Sequence, residues 1–474
     1  MTDSIVIAGA TGFVGHRLAQ RLARRTHDRL DIVGLTRGRR EAEGAWTRLV
    51  TCDLFSLKDV EAALQGARFA VYLVHSMLPS ARLVQGKFAD LDLICADNFG
   101  RAAKTAGVEQ IIYLGGIIPR TTQAESLSAH LASRLEVETA LAAHGVPVTT
   151  LRAGMVIGPG GSSFEILLRL VRRLPVMITP RWCDHLCQPI DLDTVTQLID
   201  LVIGRASCHG QTYDIGGPDT LSYRDMLARV GELTGKPRRT FRFPLFTPRL
   251  SRLWVSLITG APRALVAPLI ESLHHDMVCS DRRLQALADL PGLAFDDAVT
   301  SSLAADQRPA GNAPPQRGPS PPVAYQAAPR TAPTGVRSVQ RIPLPAGRDA
   351  EWAAHEYMRW LPRGAWPLLR VEVDAERSCS FFLAGSHRPL LVLTFAPDRS
   401  TADRQLFYVT GGALALPTKR GRLELRVAPD GEHLLTAIHE FSPRLPWWLY
   451  RGTQALVHRW VMASFGAHLA RQPR

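Results

Sequence analysis

The chain has 474 residues, of which 46% are hydrophobic and 21% are charged, and its mean hydropathy is −0.01. This composition excludes a wholly disordered chain, a fibrous repeat and a polytopic membrane protein, and the length predicts two or three domains. The formal net charge is +13, but only five of the 56 basic residues are lysines and the arginines are scattered. We therefore expect no nucleic-acid partner.

The cysteines and the N-terminus indicate the compartment. Seven cysteines are an odd number in a long chain, which argues against a disulfide framework. The chain leads directly into an apolar strand without a signal peptide, and no run of about 18 uncharged apolar residues occurs. We expect a cytoplasmic protein without a transmembrane segment. Cys183 and Cys187 flank His185 but lack a second ligand pair, so no metal site is predicted.

Strand and helix patterns alternate over the first part of the chain. Continuous apolar runs predict buried strands, and apolar residues at helical spacing predict helices between them. The predicted strands are 4–8, 31–36, 69–74, 110–114 and 148–152, and the predicted helices are 15–25, 60–64, 90–106 and 125–143. This alternation predicts an α/β fold with a doubly wound parallel Rossmann sheet.

A proline-rich segment separates this part from the C-terminal part. Eight prolines lie between Asp306 and Arg337, with almost no aliphatic side chains. Such a segment cannot bury enough apolar surface to offset its chain entropy, so we predict a flexible linker. After it come a helix at 351–361, six short strand patterns and a helical stretch at 447–469. We predict an α+β helix-grip (START-like) domain around an apolar cavity.

A glycine-rich loop carries the strongest chemical signal. Gly9-Ala10-Thr11-Gly12-Phe13-Val14-Gly15 lies between the first strand and the first helix. The glycines permit a tight turn, close approach of the backbone to a pyrophosphate, and tight packing of helix on strand. The amides and dipole of the helix N-terminus then hold the phosphates. The loop predicts dinucleotide binding; a purely structural turn is the alternative.

The end of the second strand bears on the choice of dinucleotide. An NAD site requires a carboxylate there for the ribose 2′-hydroxyl, but the strand ends Leu35-Thr36-Arg37-Gly38-Arg39-Arg40, and Asp31 is at its other end. Arg37, with Arg39 or Arg40 behind it, suits a 2′-phosphate. We favour NADP(H) over NAD(H); surface arginines of an Arg-rich protein are the alternative.

The spacing GxxGxxG resembles the extended and atypical short-chain dehydrogenase/reductase (SDR) superfamily, including its NmrA-like members. The resemblance covers residues 4 to about 300 and implies cofactor contacts at several strand ends: Asp53 near the adenine, Val74-His75-Ser76 near the ribose, and the segment after the strand at 148–152 beside the nicotinamide. The cofactor-binding residues it implies are Gly9, Thr11, Gly12, Phe13, Val14, Gly15, Thr36, Arg37, Asp53, Leu54, Val74, His75, Ser76, Met155 and Val156.

Active members of that superfamily use a Tyr-x-x-x-Lys pair, in which the lysine lowers the pKa of the tyrosine. None of the eight tyrosines here has a lysine four residues later. The resemblance places His130 and Arg134 at the two positions, four residues apart on one helical face. Three interpretations remain open. His130 could donate a proton in a redox site with Arg134 on the ribose, the pair could hold a cofactor without hydride chemistry, or both could be ordinary polar helix residues.

The pattern Tyr72–Met77, together with the helix that carries His130 and Arg134, resembles an atypical SDR subfamily joined to a DUF2867 domain. Leu435–Pro443, Trp447–Tyr450 and Val457–Trp460 are similar to the end of that domain. We predict a dinucleotide-binding domain at 1–220, a substrate-side lid subdomain at 221–305, a linker at 306–340 and a DUF2867-like domain at 341–474. Trp447, Trp448, Tyr450 and Trp460 are expected in the core, with an apolar pocket or a membrane surface as alternatives.

Two functions of different classes follow from these patterns. The first is an NADP(H)-dependent reductase of a bulky apolar substrate that works without the Tyr-x-x-x-Lys pair. The second is a non-catalytic NADP(H)-binding scaffold or sensor, whose C-terminal domain binds a lipid-like ligand or a partner. Peripheral contact with a membrane is compatible with both.

Overall fold

The computed structural model describes most of the chain. The described residues are 3–24, 30–38, 40–75, 81–119, 127–174, 176–242, 255–260, 270–306, 335–364, 369–416, 418 and 420–472. They divide into two compact units. The N-terminal unit consists of Met1–Leu78 and Asp92–Ala327, and the C-terminal unit consists of Pro79–Leu91 and Ala328–Arg474. Among the described residues, no helix combines the length and the apolar character needed to cross a membrane.

The strands, in chain order, are β1 Ser4–Ala8, β2 Asp31–Thr36, β3 Arg48–Thr51, β4 Phe69–Tyr72, β5 Leu83–Gln85, β6 Gln110–Gly116, β7 Val148–Ala153, β8 Val156–Ile157, β9 Val176–Thr179, β10 Leu186–Cys187, β11 Ile190–Asp191, β12 Thr212–Ile215, β13 Leu221–Ser222, β14 Arg239–Arg242, β15 Val336–Pro343, β16 Leu369–Val373, β17 Cys379–Leu383, β18 Pro389–Phe395, β19 Arg404–Gly411, β20 Arg422–Val427 and β21 His433–Phe441.

The α-helices are α1 Phe13–Leu22, α2 Leu57–Leu64, α3 Phe88–Ala106, α4 Ala129–Ala142, α5 Ser162–Arg173, α6 Leu192–Val202, α7 Tyr223–Leu233, α8 Arg283–Ala288, α9 Phe295–Asp306, α10 Ala350–Gly364, α11 Trp447–Gly452 and α12 Gln454–Leu469.

A seven-stranded parallel sheet forms the centre of the N-terminal unit. Its order is β12-β7-β6-β4-β1-β2-β3, and every neighbouring pair is parallel. The chain runs outward from β1 to β3, then crosses back to β4 and continues to β12 on the other side. The direction of winding therefore reverses between β1 and β4, which is where open α/β sheets bind ligands. The predicted doubly wound α/β fold is confirmed.

The predicted segments of this sheet agree with the structure, with two additions. The strands at 4–8 and 31–36 have the predicted bounds, and the helix predicted at 125–143 is α4, which begins after Ser128. One additional strand is β12, at one edge of the sheet, and the other is β3, at the opposite edge. Its Arg48-Leu49-Val50-Thr51 sequence is only partly buried, so it lacks the continuous apolar run that identifies a central strand.

The segment predicted as a lid, 221–305, contains α7, α8 and α9. Residues of α7 and α9 share a core with α5, and this core includes Phe164, Leu168, Met226, Val230 and Val299, all buried. Residues 243–254 and 261–269 of that segment lie outside the described residues.

An eight-stranded sheet and helices form the C-terminal unit. The order is β16-β17-β18-β19-β20-β21-β15-β5, antiparallel except for the parallel pair of β15 with β5. Helices α10 and α12 pack together through Phe465, whose ring lies 5.0 Å from that of Tyr357 and 5.4 Å from that of Trp360. The separate, mostly β C-terminal region predicted from the sequence is therefore present, with all six predicted strands.

The structure adds two strands to that prediction and divides its last helix. Strand β15 begins at Val336, so the last five residues of the predicted linker 306–340 are ordered in the sheet. Strand β5 pairs with β15 at the edge of the same sheet. The helical stretch predicted at 447–469 is two helices, α11 and α12, separated at Thr453.

Candidate functional site

The glycine loop makes a tight turn between β1 and α1. Gly9 has a φ of +92°, and a Cβ added there would lie 2.9 Å from the carbonyl oxygen of Leu73. A Cβ on Gly15 would lie 2.4 Å from the carbonyl oxygen of Gly9. Both positions therefore require glycine, one for its backbone conformation and the other for the close packing of helix on loop.

The first turn of α1 presents backbone donors. The amide of Gly12 donates to Gly9 O at 2.9 Å, and the amide of His16 donates to Gly12 O at 2.9 Å. Because His16 makes the first intrahelical bond, the amides of Phe13, Val14 and Gly15 precede the helical hydrogen-bond ladder. This cradle, at the end of β1 where the sheet reverses its winding, fits a pyrophosphate.

A groove of about 2000 Å³ runs along the loop. Ala10 to Phe13 line one part of it, Ile157 to Gly160 another, and Arg40 and Trp46 a third. The segment after β8 lies against the loop, since a Cβ on Gly161 would be 3.3 Å from the ring of Phe13. The lining does not include Arg37, Asp53, His75 or His130, so the groove holds only part of the predicted site.

The end of β2 is an exposed turn. The buried Thr36 donates through its hydroxyl to the carbonyl oxygen of Gly38 at 2.8 Å, and the side chain of Arg37 is exposed. Arg39 lies outside the described residues. A guanidinium at Arg37 is therefore accessible to a ligand at this edge of the sheet.

Asp53 and Leu54 follow β3 at the same edge. The amide of Cys52 donates to Thr36 O at 2.8 Å, which continues the pairing of β3 with β2. The half-buried Asp53 accepts through Oδ1 from the amide of Phe55 at 3.2 Å, so its carboxylate also orders the turn into α2. Leu54 O accepts from the side-chain amide of Asn98 at 2.9 Å.

Val74, Met155 and Val156 lie at strand ends on the same side of the sheet. Val74 follows β4 and is half-buried, and Ser76 lies outside the described residues. Met155 is buried, and its carbonyl oxygen accepts from the amide of Ile190 at 2.9 Å. Val156 begins β8, which pairs with β11.

The predicted catalytic residues belong to a buried polar cluster. His130 and Arg134, one turn apart on α4, are 9% and 6% exposed. The ring of His130 stacks on that of His75, with centroids 5.0 Å apart. Nη2 of Arg134 donates to Nδ1 of His75 at 2.9 Å and also contacts the carboxylate of Asp92. We call His75, Asp92, His130 and Arg134 the histidine cluster.

Leu73 connects the histidine cluster with the glycine loop. Leu73, which the backbone of Gly9 approaches closely, is two residues before His75. The structure thus brings together His75, which resemblance assigns to the cofactor, and the His130–Arg134 pair. These side chains are joined by Asp92, which the sequence reasoning missed. One feature of the sequence could have identified Asp92: it is an aspartate within the otherwise apolar run Leu91–Ala96, which lies in a predicted helix.

The charges in the cluster favour neutral imidazoles. Burial, together with His75 and Arg134, holds the pKa of His130 well below its usual value. Desolvation and the neighbouring Arg134 charge also lower the pKa of His75. Nδ1 of His75 lies 2.9 Å from Nη2 of Arg134, which only donates, and 3.2 Å from Oδ2 of Asp92, which only accepts. The shorter contact, with the guanidinium, favours Nδ1 as the acceptor and the tautomer with its proton on Nε2. The side chain of His75 is 29% exposed, which makes that N–H the more accessible imidazole donor of the cluster.

Neither neighbouring tyrosine replaces the missing one. Tyr72 and Tyr113 are fully buried, with ring centroids 6.2 Å apart. Burial raises the pKa of Tyr113 to about 12, and it raises the pKa of Tyr72 well above its usual value. The hydroxyl of Tyr113 donates to the carbonyl oxygen of Arg134 at 3.2 Å, so it supports α4. Both phenols remain protonated and have a packing role.

Comparisons with known proteins agree with this architecture. Residues 5–176 match the model of the NAD dependent epimerase/dehydratase family. The N-terminal unit has a Rossmann-like α/β fold. Over 152 residues the chain is 30% identical to the auxiliary protein GraX of Staphylococcus aureus, a match covering 32% of this chain and 44% of that protein. The chain therefore matches less than half the length of this curated relative.

Solved structures share the fold at low sequence identity. The NADPH-dependent quinone oxidoreductase QOR2 of Escherichia coli, in complex with NADPH, is similar with a TM-score of 0.50 and 19% identity, over 63% of this chain and 99% of that one. The protein gox2253 gives a TM-score of 0.50 and 20% identity, over 64% of this chain and 97% of that one. The relation to a DUF2867 domain stays a prediction.

Proposed function

We propose that the chain is an NADP(H)-dependent reductase of a bulky apolar substrate, in which the histidine cluster acts in place of a Tyr-Lys pair. The observation that carries this proposal is the position of the cluster, two stacked imidazoles and an arginine–aspartate pair at the end of β4, beside the glycine loop. A quinone oxidoreductase among the structural neighbours is consistent with an apolar carbonyl-type substrate.

The cofactor would be held by the residues that fit it. The amides of Phe13 to Gly15 would bind the pyrophosphate, and the exposed Arg37 would pair with a 2′-phosphate. NADPH supplies a hydride when it is bound. The absence of a carboxylate at the end of β2 and the presence of Arg37 there favour NADP(H) over NAD(H).

The chain would supply a hydrogen-bond donor to the substrate oxygen. His75 is the more exposed imidazole of the cluster, and the contact of its Nδ1 with Arg134 favours the tautomer that carries the proton on Nε2. Asp92 neutralises Arg134 so that the guanidinium can be buried. In the alternative mechanism, the proton donor is His130, whose ring stacks on that of His75. Its buried ring would then take up a proton during turnover.

Two substitutions distinguish these roles. With NADPH and a panel of quinones and apolar carbonyls, His75→Ala is expected to lower kcat by roughly 10²–10⁴-fold, the usual effect of losing a general acid or donor. His130→Ala should then lower kcat less, since it removes only the stacked ring. His185→Ala is the matched control. The exposed ring of His185 pairs with Asp276, and neither residue belongs to the histidine cluster.

Each result has a definite interpretation. A large loss in His130→Ala with normal turnover in His75→Ala would assign the proton transfer to His130. If the donor is a neutral imidazole, kcat should stay level above pH 6.5, which is roughly the pKa of free imidazole. If the donor is an imidazolium, kcat should instead fall as the pH rises through the lowered pKa of that ring. NADPH binding without oxidation by any acceptor in the panel would contradict the reductase and favour the scaffold or sensor, a function that the buried, neutral His130 also permits.

A further inference from the structure

The two last helices expose large apolar side chains. Trp448 on α11 is 75% exposed, and on α12 Leu456, Val457 and Trp460 are 52%, 47% and 51% exposed. We call these four residues the tryptophan patch. The three on α12 lie within about one turn of helix, so they form a continuous surface. Isolated exposed apolar residues are normal in proteins, but a cluster with two tryptophans indicates an interaction site.

Helix α12 is apolar on both of its faces. Its inner face is buried in the core of the C-terminal unit and includes Val461, Met462, Phe465 and Leu469. Its outer face continues from the patch to Ala463 and Ala467, which are also exposed. A helix that is apolar all round is normally covered on every side. The outer face of α12 therefore has the composition of a buried surface without being buried by the described residues.

Helix α11 is fixed so that Trp448 points away from the core. Tyr450 is buried, and its ring lies 6.0 Å from that of Phe441 and 5.8 Å from that of Trp447. The guanidinium of Arg82 lies 4.2 Å from the ring of Trp447. These contacts hold the helix against the sheet, so the exposure of Trp448 follows from the packing of α11 itself.

The surroundings of the patch are cationic. From Phe441 to the C-terminus the sequence contains five arginines and no aspartate or glutamate. Arg444, Arg451, Arg459 and Arg471 are exposed, and none of them forms an ion pair with a described residue. The whole segment thus combines exposed tryptophans with uncompensated positive charge.

We infer that the tryptophan patch binds the surface of an anionic phospholipid membrane, with α11 and α12 lying in the interface. Tryptophan is enriched at the level of lipid headgroups, and arginines beside an apolar helix face attract anionic lipids. A second copy of the chain fits less well. A two-fold interface places the same patch against itself, which would bring the arginines of one copy against those of the other. This inference is independent of the proposed reductase.

The test is sedimentation of the full-length protein with vesicles. The protein is expected to co-sediment with vesicles of phosphatidylcholine and phosphatidylglycerol, to remain in solution with phosphatidylcholine alone, and to be released by high salt. Trp448→Ala with Trp460→Ala should lower the partition coefficient by roughly tenfold for each side chain. Arg451→Gln with Arg459→Gln should lower it by about fivefold for each charge.

Two matched variants serve as controls. Phe241→Ala removes an aromatic side chain that is 56% exposed in the N-terminal unit, and Arg359→Gln removes an arginine whose side chain is 80% exposed on α10. Both should bind vesicles as the original protein does, and circular dichroism checks that every variant is folded.

Three results would overturn the inference. The first is the absence of binding to anionic vesicles, and the second is equal binding by the tryptophan and control variants. The third is a dimer that dissociates in the double tryptophan variant without any vesicle binding, which would assign the patch to self-association.

Discussion

The pair of Asp92 with Arg134 gives the strongest quantitative prediction. The side chains of these two residues are 1% and 7% exposed, and the carboxylate is the partner of a guanidinium that cannot lose its proton. Asp92→Asn keeps the shape of the side chain and removes its charge. The buried guanidinium would then lack its counter-charge, which typically costs about 3–5 kcal/mol.

An exposed pair in the same unit provides the control. Arg17 and Asp193 form an ion pair whose side chains are 36% and 51% exposed. Such pairs contribute up to about 1 kcal/mol because water and salt screen them. Asp193→Asn should therefore cost at least about 2 kcal/mol less than Asp92→Asn, although both substitutions remove one carboxylate from an arginine.

Hydrogen exchange by mass spectrometry over a urea series measures this difference unit by unit. Peptides from α3 and α4 should lose protection at lower urea in Asp92→Asn, while peptides from the C-terminal unit keep theirs. Replacing the pair together, as Asp92→Leu with Arg134→Met, should recover most of the loss because no buried charge remains. If Asp92→Asn and Asp193→Asn destabilise equally, Asp92 is not the group that compensates the buried charge of Arg134.

Three further predictions concern the cofactor and the response to acid. Gly15→Ala should weaken NADPH binding at least roughly tenfold in calorimetry, because the added Cβ would lie 2.4 Å from Gly9 O. Gly12→Asp should abolish NADPH binding, because its carboxylate would repel the pyrophosphate. Unchanged affinity in these variants would show that the loop is not part of the cofactor site. Arg37→Ala should weaken the binding of NADPH much more than that of NADH. Arg181→Ala is the control, because Arg181 is also exposed and should not affect either affinity. An equal loss of affinity for both cofactors in Arg37→Ala would contradict the 2′-phosphate assignment. Burial lowers the pKa of His458 to about 4. The unfolded chain, with a pKa near 6.5, therefore binds the proton first, and the C-terminal unit should lose up to about 3 kcal/mol as pH falls from 6.5 to 4. His458→Gln should flatten this part of the stability curve measured by urea unfolding, and an unchanged slope would assign the acid sensitivity to other groups.

The central strands and the glycine loop were predictable because their signals are local. Strand β1 is buried on both faces, so five successive residues are apolar or small, and the glycines follow at once. Strands β3, β5 and β15 were not predictable in this way. Strand β15 contains Arg337, Gln340 and Arg341, and it follows a proline-rich segment that resembles a linker in composition. Its order comes from pairing with β21, about 100 residues later, and with β5.

The histidine cluster shows why part of the site also escaped prediction. The resemblance to the SDR superfamily places His130 and Arg134 at the positions of the tyrosine and lysine, but it does not show what a buried guanidinium there requires. Lysine can bury an amine by losing its proton, whereas arginine stays charged and needs a carboxylate. Asp92 is that carboxylate, 42 residues away along the chain. A buried arginine at position 134 therefore depends on an acid in α3, and the same guanidinium contacts Nδ1 of His75. Arg134 favours one tautomer of the imidazole, whereas His75 is the residue that faces solvent. His75→Ala and Arg134→Ala should therefore differ in their effects on kcat and on the free energy of unfolding.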